Sequence, residues 1–338
     1  MRIKIFILFI SLFSLVIFGC SHRENVSINN SEYQKVRLVM TTSGTESGIN
    51  TMVARKLSKL LEEASGGNVI VEVYANDQLA GGNTTKGVNM LADGSVDLAV
   101  YTSGTLSTLD RRMSVATLPW TFKSYQEARQ ILDNSGGAFY EKVLSEQGLV
   151  YLGCIHNGFR QISNNRNPVR QPEDLDGMKI RILGNEGYRS FFQSFNAIPI
   201  PMSRSEMSAA LKQGDIDGHD MGIFQSGTDK LNEKEKYLTI WNYSYETYIF
   251  IANVKTFDRL EPKTQELISQ KTKEACEWGR DWLEKNERNM IEIFDDHGVE
   301  ITELSPEEIE PFKQKVRPLI EQLKLQYGEE ACRAFGIN

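Results

Sequence analysis

NGFRQISNNRNPVRQPEDLDGMKIR, residues 157–181, carries two arginines on short apolar-flanked segments, Arg160 in Gly-Phe-Arg and Arg181 in Met178-Lys179-Ile180-Arg181-Ile182. Between them lie Pro168 and the turn Pro172-Glu173-Asp174-Leu175. Turn residues of this kind let the chain fold back on itself. If both segments are strands, the two guanidinium groups can converge on one point. A guanidinium holds a carboxylate through two parallel N–H···O bonds, which a lysine cannot reproduce. The alternative leaves both arginines on the surface, paired with nearby acids.

Strand and helix alternate on either side of this stretch. Upstream, Val36–Thr41 reads as a strand. Residues 47–64 then place Ile49, Met52, Val53, Leu57, Leu60 and Leu61 on one helical face. Asn68–Tyr74 is a Val-rich strand, 83–92 a short helix and Val96–Tyr101 a strand. Ser124 with Glu127 forms a capping box for a helix to Asp133; a second helix is expected after Gly137, and a strand at Leu149–Cys154. Downstream come a helix over 186–195 and a short strand from the Asn196-Ala197-Ile198-Pro199 turn. A helix capped by Ser203 and Glu206 follows, then a strand at Ile216–Asp220 and two strand-like runs, Tyr237–Tyr243 and Tyr248–Ala252. Residues 263–296 contain no proline and one glycine, Gly279, with Leu267, Ile268, Ala275, Trp278, Trp282, Met290 and Phe294 at helical spacing. A helix of that length runs about 50 Å, enough to underlie two lobes at once. Ser305-Pro306 opens the final helix. The alternation predicts an α/β fold with largely parallel pairing.

The chain of 338 residues has a formal net charge of -7 and no basic block, which argues against a nucleic-acid partner. Arg2 and Lys4 precede an apolar run from Ile5 to Phe18, too short to span a bilayer comfortably. Ile17-Phe18-Gly19-Cys20 resembles the lipobox of bacterial lipoprotein signal peptides. That implies cleavage before Cys20, lipid on its thiol, and export. A plain secretory signal or an uncleaved anchor are the alternatives. Residues 1–19 are thus expected to be a signal peptide and 20–34 a polar tether. Cys154, Cys276 and Cys332 remain, without CxxC or histidine partners, so no metal site is expected. A Cys276–Cys332 bridge and buried free thiols are both open.

Catalytic signatures are missing: there is no GxSxG, no Walker loop, no GxGxxG after a strand and no HExxH. What remains resembles recognition. Thr41-Thr42, Tyr101-Thr102-Ser103 and His219-Asp220-Met221 sit at the carboxyl ends of expected strands, where α/β folds bind ligands. Trp120 follows the rigid Pro119, either as a pocket wall or in the core.

The order GFRQ…NP…PEDLDGMKIR…NAIPIPMSRSEMSAALKQGDIDG, with the earlier VYANDQLAGG…LADGSVDLAV…LPW, resembles the solute-binding proteins of tripartite ATP-independent periplasmic (TRAP) transporters, of the C4-dicarboxylate-binding type. The resemblance covers about residues 35–335. It implies two α/β lobes joined by crossing strands and a long spanning helix, a cleft that closes on an organic acid, no cofactor, and delivery to TRAP permease subunits. It also implies that Arg181 holds the carboxylate with Arg160 as helper. Lobe I is expected to comprise 35–157 plus 247–286, and lobe II 158–246 plus 287–338. The candidate ligand contacts are Arg181, Arg160, Thr42, Glu46, Thr102, Trp120, Arg204, His219, Asp220, Met221 and Tyr245. The chain departs from the family pattern at His219-Asp220-Met221-Gly222, Arg204, Thr102 and Ile182-Leu183-Gly184. Arg204 either supplies a third cation suited to a dicarboxylate or pairs with Asp220. Two rivals are an exported α/β enzyme acting on a carboxylate and the binding subunit of a sensor.

Overall fold

The computed structural model describes residues 32–337, so the expected signal peptide, Cys20 and most of the tether lie outside the described residues. Among the described residues nine strands form one mixed sheet: β1 (Val36–Thr42), β2 (Val69–Tyr74), β3 (Leu98–Thr102), β4 (Leu149–Asn164), β5 (Lys179–Ile182), β6 (Ile198–Pro201), β7 (Gly218–Gly222), β8 (Tyr237–Asn253) and β9 (Glu300–Glu303). Their order is β2-β1-β3-β8-β4-β7-β5-β6, with β9 beside β8. β1 pairs in parallel with β2 and β3, and β5 with β6 and β7, while β4 and β8 run antiparallel to each other and to their other neighbours in that order. Two α/β halves therefore share one sheet through a central antiparallel pair.

That pair is where sequence and structure part. Leu149–Cys154 and the Arg160 segment are one strand of 16 residues, and the runs Tyr237–Tyr243 and Tyr248–Ala252 are one strand of 17. β8 pairs with β3 through Tyr248–Ala252 and with β9 through Tyr237–Ile240, so each end serves a different half. Strands this long must bend, and the β4–β8 register slips at Tyr151/Gly153, His156/Gly158 and Arg160/Ile162. Gly158 has φ +100°, and a Cβ there would stand 2.8 Å from the Tyr125 hydroxyl and 3.2 Å from Glu287 Oε1. Only glycine fits such a bend without strain. The helix expected after Gly137 begins earlier, at Ser135, and holds Gly137 in its first turn, where a Cβ would meet the Leu132 carbonyl oxygen at 2.3 Å.

The helix Pro262–Asp296 has 35 residues, about 52 Å at 1.5 Å per residue. Its Leu267, Ile268, Ala275, Cys276 and Leu283 pack with Val53, Leu57 and Val100 of the first half, and its Phe294 packs with Ile223, Leu238 and Val299 beyond the crossing. Gly279 permits the close approach, since a Cβ there would lie 2.4 Å from Val53 Cγ2. The helix Pro306–Tyr327 also serves both halves. Phe312 and Val316 join Phe191 and Trp241, whereas Leu323 and Tyr327 join Tyr101 and Tyr140. Ala331 and Phe335 follow them, so the end of the segment 287–338 packs in the β1–β3 half rather than with β5–β7. All three described cysteines are free and buried.

A polar cluster sits at the crossing. His156 of β4 is hydrogen-bonded through Nδ1 to the Tyr245 hydroxyl of β8, and its Nε2 lies 3.0 Å from Glu284 Oε1 of the long helix. Burial pushes the imidazole down to about 4 despite Glu284. Burial pushes the Glu287 carboxyl up to about 7, aided by the charge of Glu284 and opposed by the Tyr125 hydroxyl, which donates to Oε2 at 2.7 Å. The two groups oppose each other thermodynamically. The unfolded chain protonates His156 near 6.5 and the folded one only near 4, so His156 costs stability as pH falls through that window. Folded Glu287 keeps its proton up to about 7 while the unfolded chain loses it near 4.5, so Glu287 costs stability as pH rises. We expect near-cancellation between pH 4.5 and 6.5, the overlap of the two windows. Glu287→Gln should expose a rise with pH of up to about 1.4 kcal/mol per unit, and His156→Gln a fall of similar size. Urea denaturation at about pH 5 and about pH 6 reads both slopes. Equal slopes in the two variants would show that these groups do not titrate oppositely.

Candidate functional site: a polar cavity with one unpaired guanidinium

A cavity of about 560 Å³ opens beside the sheet. Its walls come from the carboxyl ends of parallel strands in both halves: Ser43 after β1, Thr102 at the end of β3, Arg181 of β5 with Leu183 and Gly184 after it, Met202 to Arg204 after β6, and Met221 from β7. Asn157 and Arg160 of β4 and Tyr248 of β8 line it from the crossing pair, and residues 81–85, at the start of the helix Thr84–Asp93, line it as well. Strand carboxyl ends on both sides of a change in strand order form such crevices.

Three arginines reach this cavity, and their surroundings differ. Ile180 and Ile182 alternate with Arg181 along β5 and enter the core, which turns Arg181 to the opposite face. Arg181 is 2% exposed, and its Nε donates to the Met202 carbonyl at 3.0 Å. Among the described residues no carboxylate lies within 4 Å of it. Burial, reinforced by the Arg160 charge, pushes its guanidinium down to about 10, against the pull of Asp220. Arg160 is instead neutralised. Its Nε lies 3.1 and 3.0 Å from the two Asp220 carboxylate oxygens, and its Nη2 donates to the Asp220 carbonyl at 2.6 Å. Glu246 stands 3.8 Å from Nη1, and the Tyr188 ring 4.5 Å below the guanidinium carbon. Arg204 pairs with Asp229, Nη2 donating to Oδ1 at 2.5 Å and Nε to Oδ2, and its Nη2 also reaches Gln225 Oε1 at 3.2 Å. The pairing of Arg204 with Asp220 that the sequence left open is not made, because Arg160 occupies Asp220.

Arg181, Arg160, Thr102, Arg204 and Met221 thus line the cavity, and the other candidates do not. Thr42 is buried behind it, sharing a hydrogen bond of 2.7 Å with Thr51. Glu46 is exposed and paired with Arg55 at 2.6 Å. Trp120 is partly buried against the core, packed on Phe191 and Tyr243 with Lys313 over its ring. Tyr245 belongs to the His156 cluster and packs on Phe122. Asp220 serves Arg160 from behind the wall. His219 lies between Glu235 Oε1 and Ser226 Oγ, 2.8 Å from each. Asn157, Gln225 and Tyr248 are lining residues that the sequence did not single out. Asn157 begins the stretch that decides the fold and precedes the Gly158 bend, a signal that could have found it. Gln225 and Tyr248 carried none.

Residues 40–326 match the family model described as bacterial extracellular solute-binding protein, family 7. The chain belongs to that family. It is 27% identical to the C4-dicarboxylate-binding protein DctB of Bacillus subtilis, over 83% of this chain and 80% of that one. The sugar acid binding protein DctPAm of Advenella mimigardefordensis, solved with galactonate, superposes with a TM-score of 0.85 at 26% identity, over 90% of this chain and 97% of the other. A TRAP periplasmic solute binding protein from Ochrobactrum anthropi superposes with a TM-score of 0.80 at 27% identity, covering 90% and 94%. The two-lobed architecture and long spanning helix of this TRAP family are those of the present chain. Among the described residues no helix is long and apolar enough to cross a membrane.

Proposed function

We propose that this family member captures a small carboxylic acid, holding one carboxylate at Arg181, and delivers it to a TRAP-type permease. The observation that carries the proposal is the Arg181 guanidinium, buried in the cavity wall with no carboxylate partner among the described residues. An unpaired buried cation is costly, and an arriving carboxylate relieves that cost while accepting two parallel bonds. Because Arg204 is committed to Asp229, the cavity offers one available cation among the described residues, which favours a single gripped carboxylate over the dicarboxylate that a third free arginine would suit. Thr84, Thr85, Thr102, Thr105 and Thr108 supply the hydroxyl-rich remainder of the wall. The C4-dicarboxylate and galactonate named for relatives lie in the same chemical range.

Residues 35–157 plus 247–286 and 158–246 plus 287–338 form the two lobes, with the last turns of the chain crossing back. Closure shifts an open–closed equilibrium because only the closed pair touches the ligand from both sides. Cys20 carries the lipid that holds the protein on the outer side of the membrane.

One arrangement favours the rival enzyme: Ser226, His219 and Glu235 are linked in the order a nucleophilic triad requires. Ser226 is 3% exposed, lies outside the cavity wall, and its hydroxyl also stands 3.1 Å from the Gly222 carbonyl. We assign it to holding the strand end after β7. A thermal-shift screen over organic acids tests the proposal, since ligand at ~100 times its dissociation constant adds ~2.7 kcal/mol. Stabilisation by neutral sugars but by no acid would sink it. Recovery of a chemically altered ligand would favour the enzyme.

A further inference from the structure

Glu246 of β8 is 0% exposed and faces Gly158 of β4 at one of the register slips of the crossing pair. Its two carboxylate oxygens serve different halves. Oε1 accepts from the Ser103 hydroxyl at 2.7 Å and from the Gly104 main-chain N–H at 2.9 Å, both just after β3. Oε2 accepts from the Tyr188 hydroxyl at 2.6 Å and lies 3.8 Å from Arg160 Nη1. Tyr188 belongs to the helix Glu186–Gln193, between β5 and β6, and packs in one core with Ile180 and Ile182. Tyr101 and Leu106, on either side of Ser103, pack in another. A second bond follows the same seam, from Asn185 Nδ2 to Ser114 Oγ at 2.7 Å. Gly104 and Arg160 both line the cavity, so Glu246 stands behind the point where its two walls meet. The fit there is close: a Cβ on Gly104 would lie 3.0 Å from Glu246 Oε2 and 3.3 Å from Asn185 Nδ2.

We propose that Glu246 is a positioning residue, a clasp that ties the two cavity walls to each other and so sets how long a captured acid is held. This rests on the capture and closure proposed above. Burying a carboxylate is costly, and an apolar side chain would join the two cores without that cost. What the carboxylate adds is direction. Its full set of bonds forms only when Ser103 and Gly104 stand on one side of it and Tyr188 and Arg160 on the other. Parting the halves breaks one of the two sets. Water entering the seam replaces part of what is lost, which keeps the clasp reversible. Glu246 itself does not line the cavity, so its effect falls on release rather than on the choice of acid.

Stopped-flow dissociation and small-angle X-ray scattering test this, with succinate and D-galactonate as probes. The wild type is expected to become more compact with at least one of them. For that probe, Tyr188→Phe keeps the ring beneath Arg160 and removes the hydroxyl. It should raise the dissociation rate roughly 10-fold, the scale of one hydrogen bond to a charged group. Glu246→Gln should raise the rate as well, and where that variant fails to fold the two partner variants read the same link. Ser103→Ala should raise it less than Tyr188→Phe, since the Gly104 N–H remains. Because the clasp is one link in series, Tyr188→Phe combined with Ser103→Ala should release the probe no faster than Tyr188→Phe alone. A carboxylate that only supports the fold predicts lower melting temperatures with unchanged release, or effects that multiply in the double variant. Either result would overturn the clasp and leave capture and closure standing. Failure of both probes to bind, or binding without compaction, would overturn the closure reading and the clasp with it.

Discussion

Arg181→Ala is expected to abolish tight acid binding while leaving a folded protein that is no less stable without ligand. The two effects have one origin. Two charge-assisted hydrogen bonds at about 1.5–3 kcal/mol each place the loss near 3–6 kcal/mol, or about 10²- to 10⁴-fold in dissociation constant. In the ligand-free protein the same guanidinium is a buried cation with one main-chain partner, the Met202 carbonyl, and no carboxylate within reach among the described residues. Removing it deletes a desolvation cost that no ion pair offsets. Arg181→Lys keeps the charge but not the fork, so a weak and less selective site should remain. Calorimetry with the best acid from a screen, beside urea melts of the ligand-free variants, reads both quantities. Wild-type affinity in Arg181→Ala would remove this guanidinium from the binding account.

The sequence carried the repeating units well and the join between them poorly. Apolar periodicity located the helix Pro262–Asp296 to within a residue, because its stripe of Leu267, Ile268, Ala275 and Phe294 is a local property of the chain. The continuity of β4 and β8 was not local. Leu149–Cys154 and the Arg160 segment read as separate units, yet here Gly153 and Gly158 are bends that let one strand cross between halves. The same limit governs the site. Strand alternation was enough to turn Arg181 away from Ile180 and Ile182, whereas charge balance depends on partners far along the chain. Asp229 lies 25 residues from Arg204 and Asp220 lies 60 from Arg160, so no spacing rule could show which cation stays unpaired. Trp120 and Tyr245 resembled pocket residues because aromatic rings suit both pockets and cores, and only the packing on Phe191 and Phe122 decides between them.

Asp220→Ala is expected to cost stability first and affinity second. Asp220 is 0% exposed and holds Arg160, itself 1% exposed, through both carboxylate oxygens. Taking one member from a buried pair leaves the other charge uncompensated, at a cost of about 3–5 kcal/mol. Glu246, 3.8 Å from the other side of the guanidinium, and the retained bond to the residue 220 carbonyl bring the expected loss toward the lower end. With Asp220 gone, Arg160 becomes a second available cation in the cavity wall, so a dicarboxylate such as succinate should gain affinity relative to a monocarboxylate. The double variant Arg160→Met with Asp220→Leu should recover most of the stability, since replacing a whole buried pair by apolar groups is often neutral. Chemical denaturation of the two single variants and the double one closes a cycle whose coupling term isolates the pair. A coupling near zero would mean that Asp220 does not hold Arg160. In that case Arg160, not Arg181 alone, would already be available to an incoming acid, and the preference for a single gripped carboxylate would lose its basis.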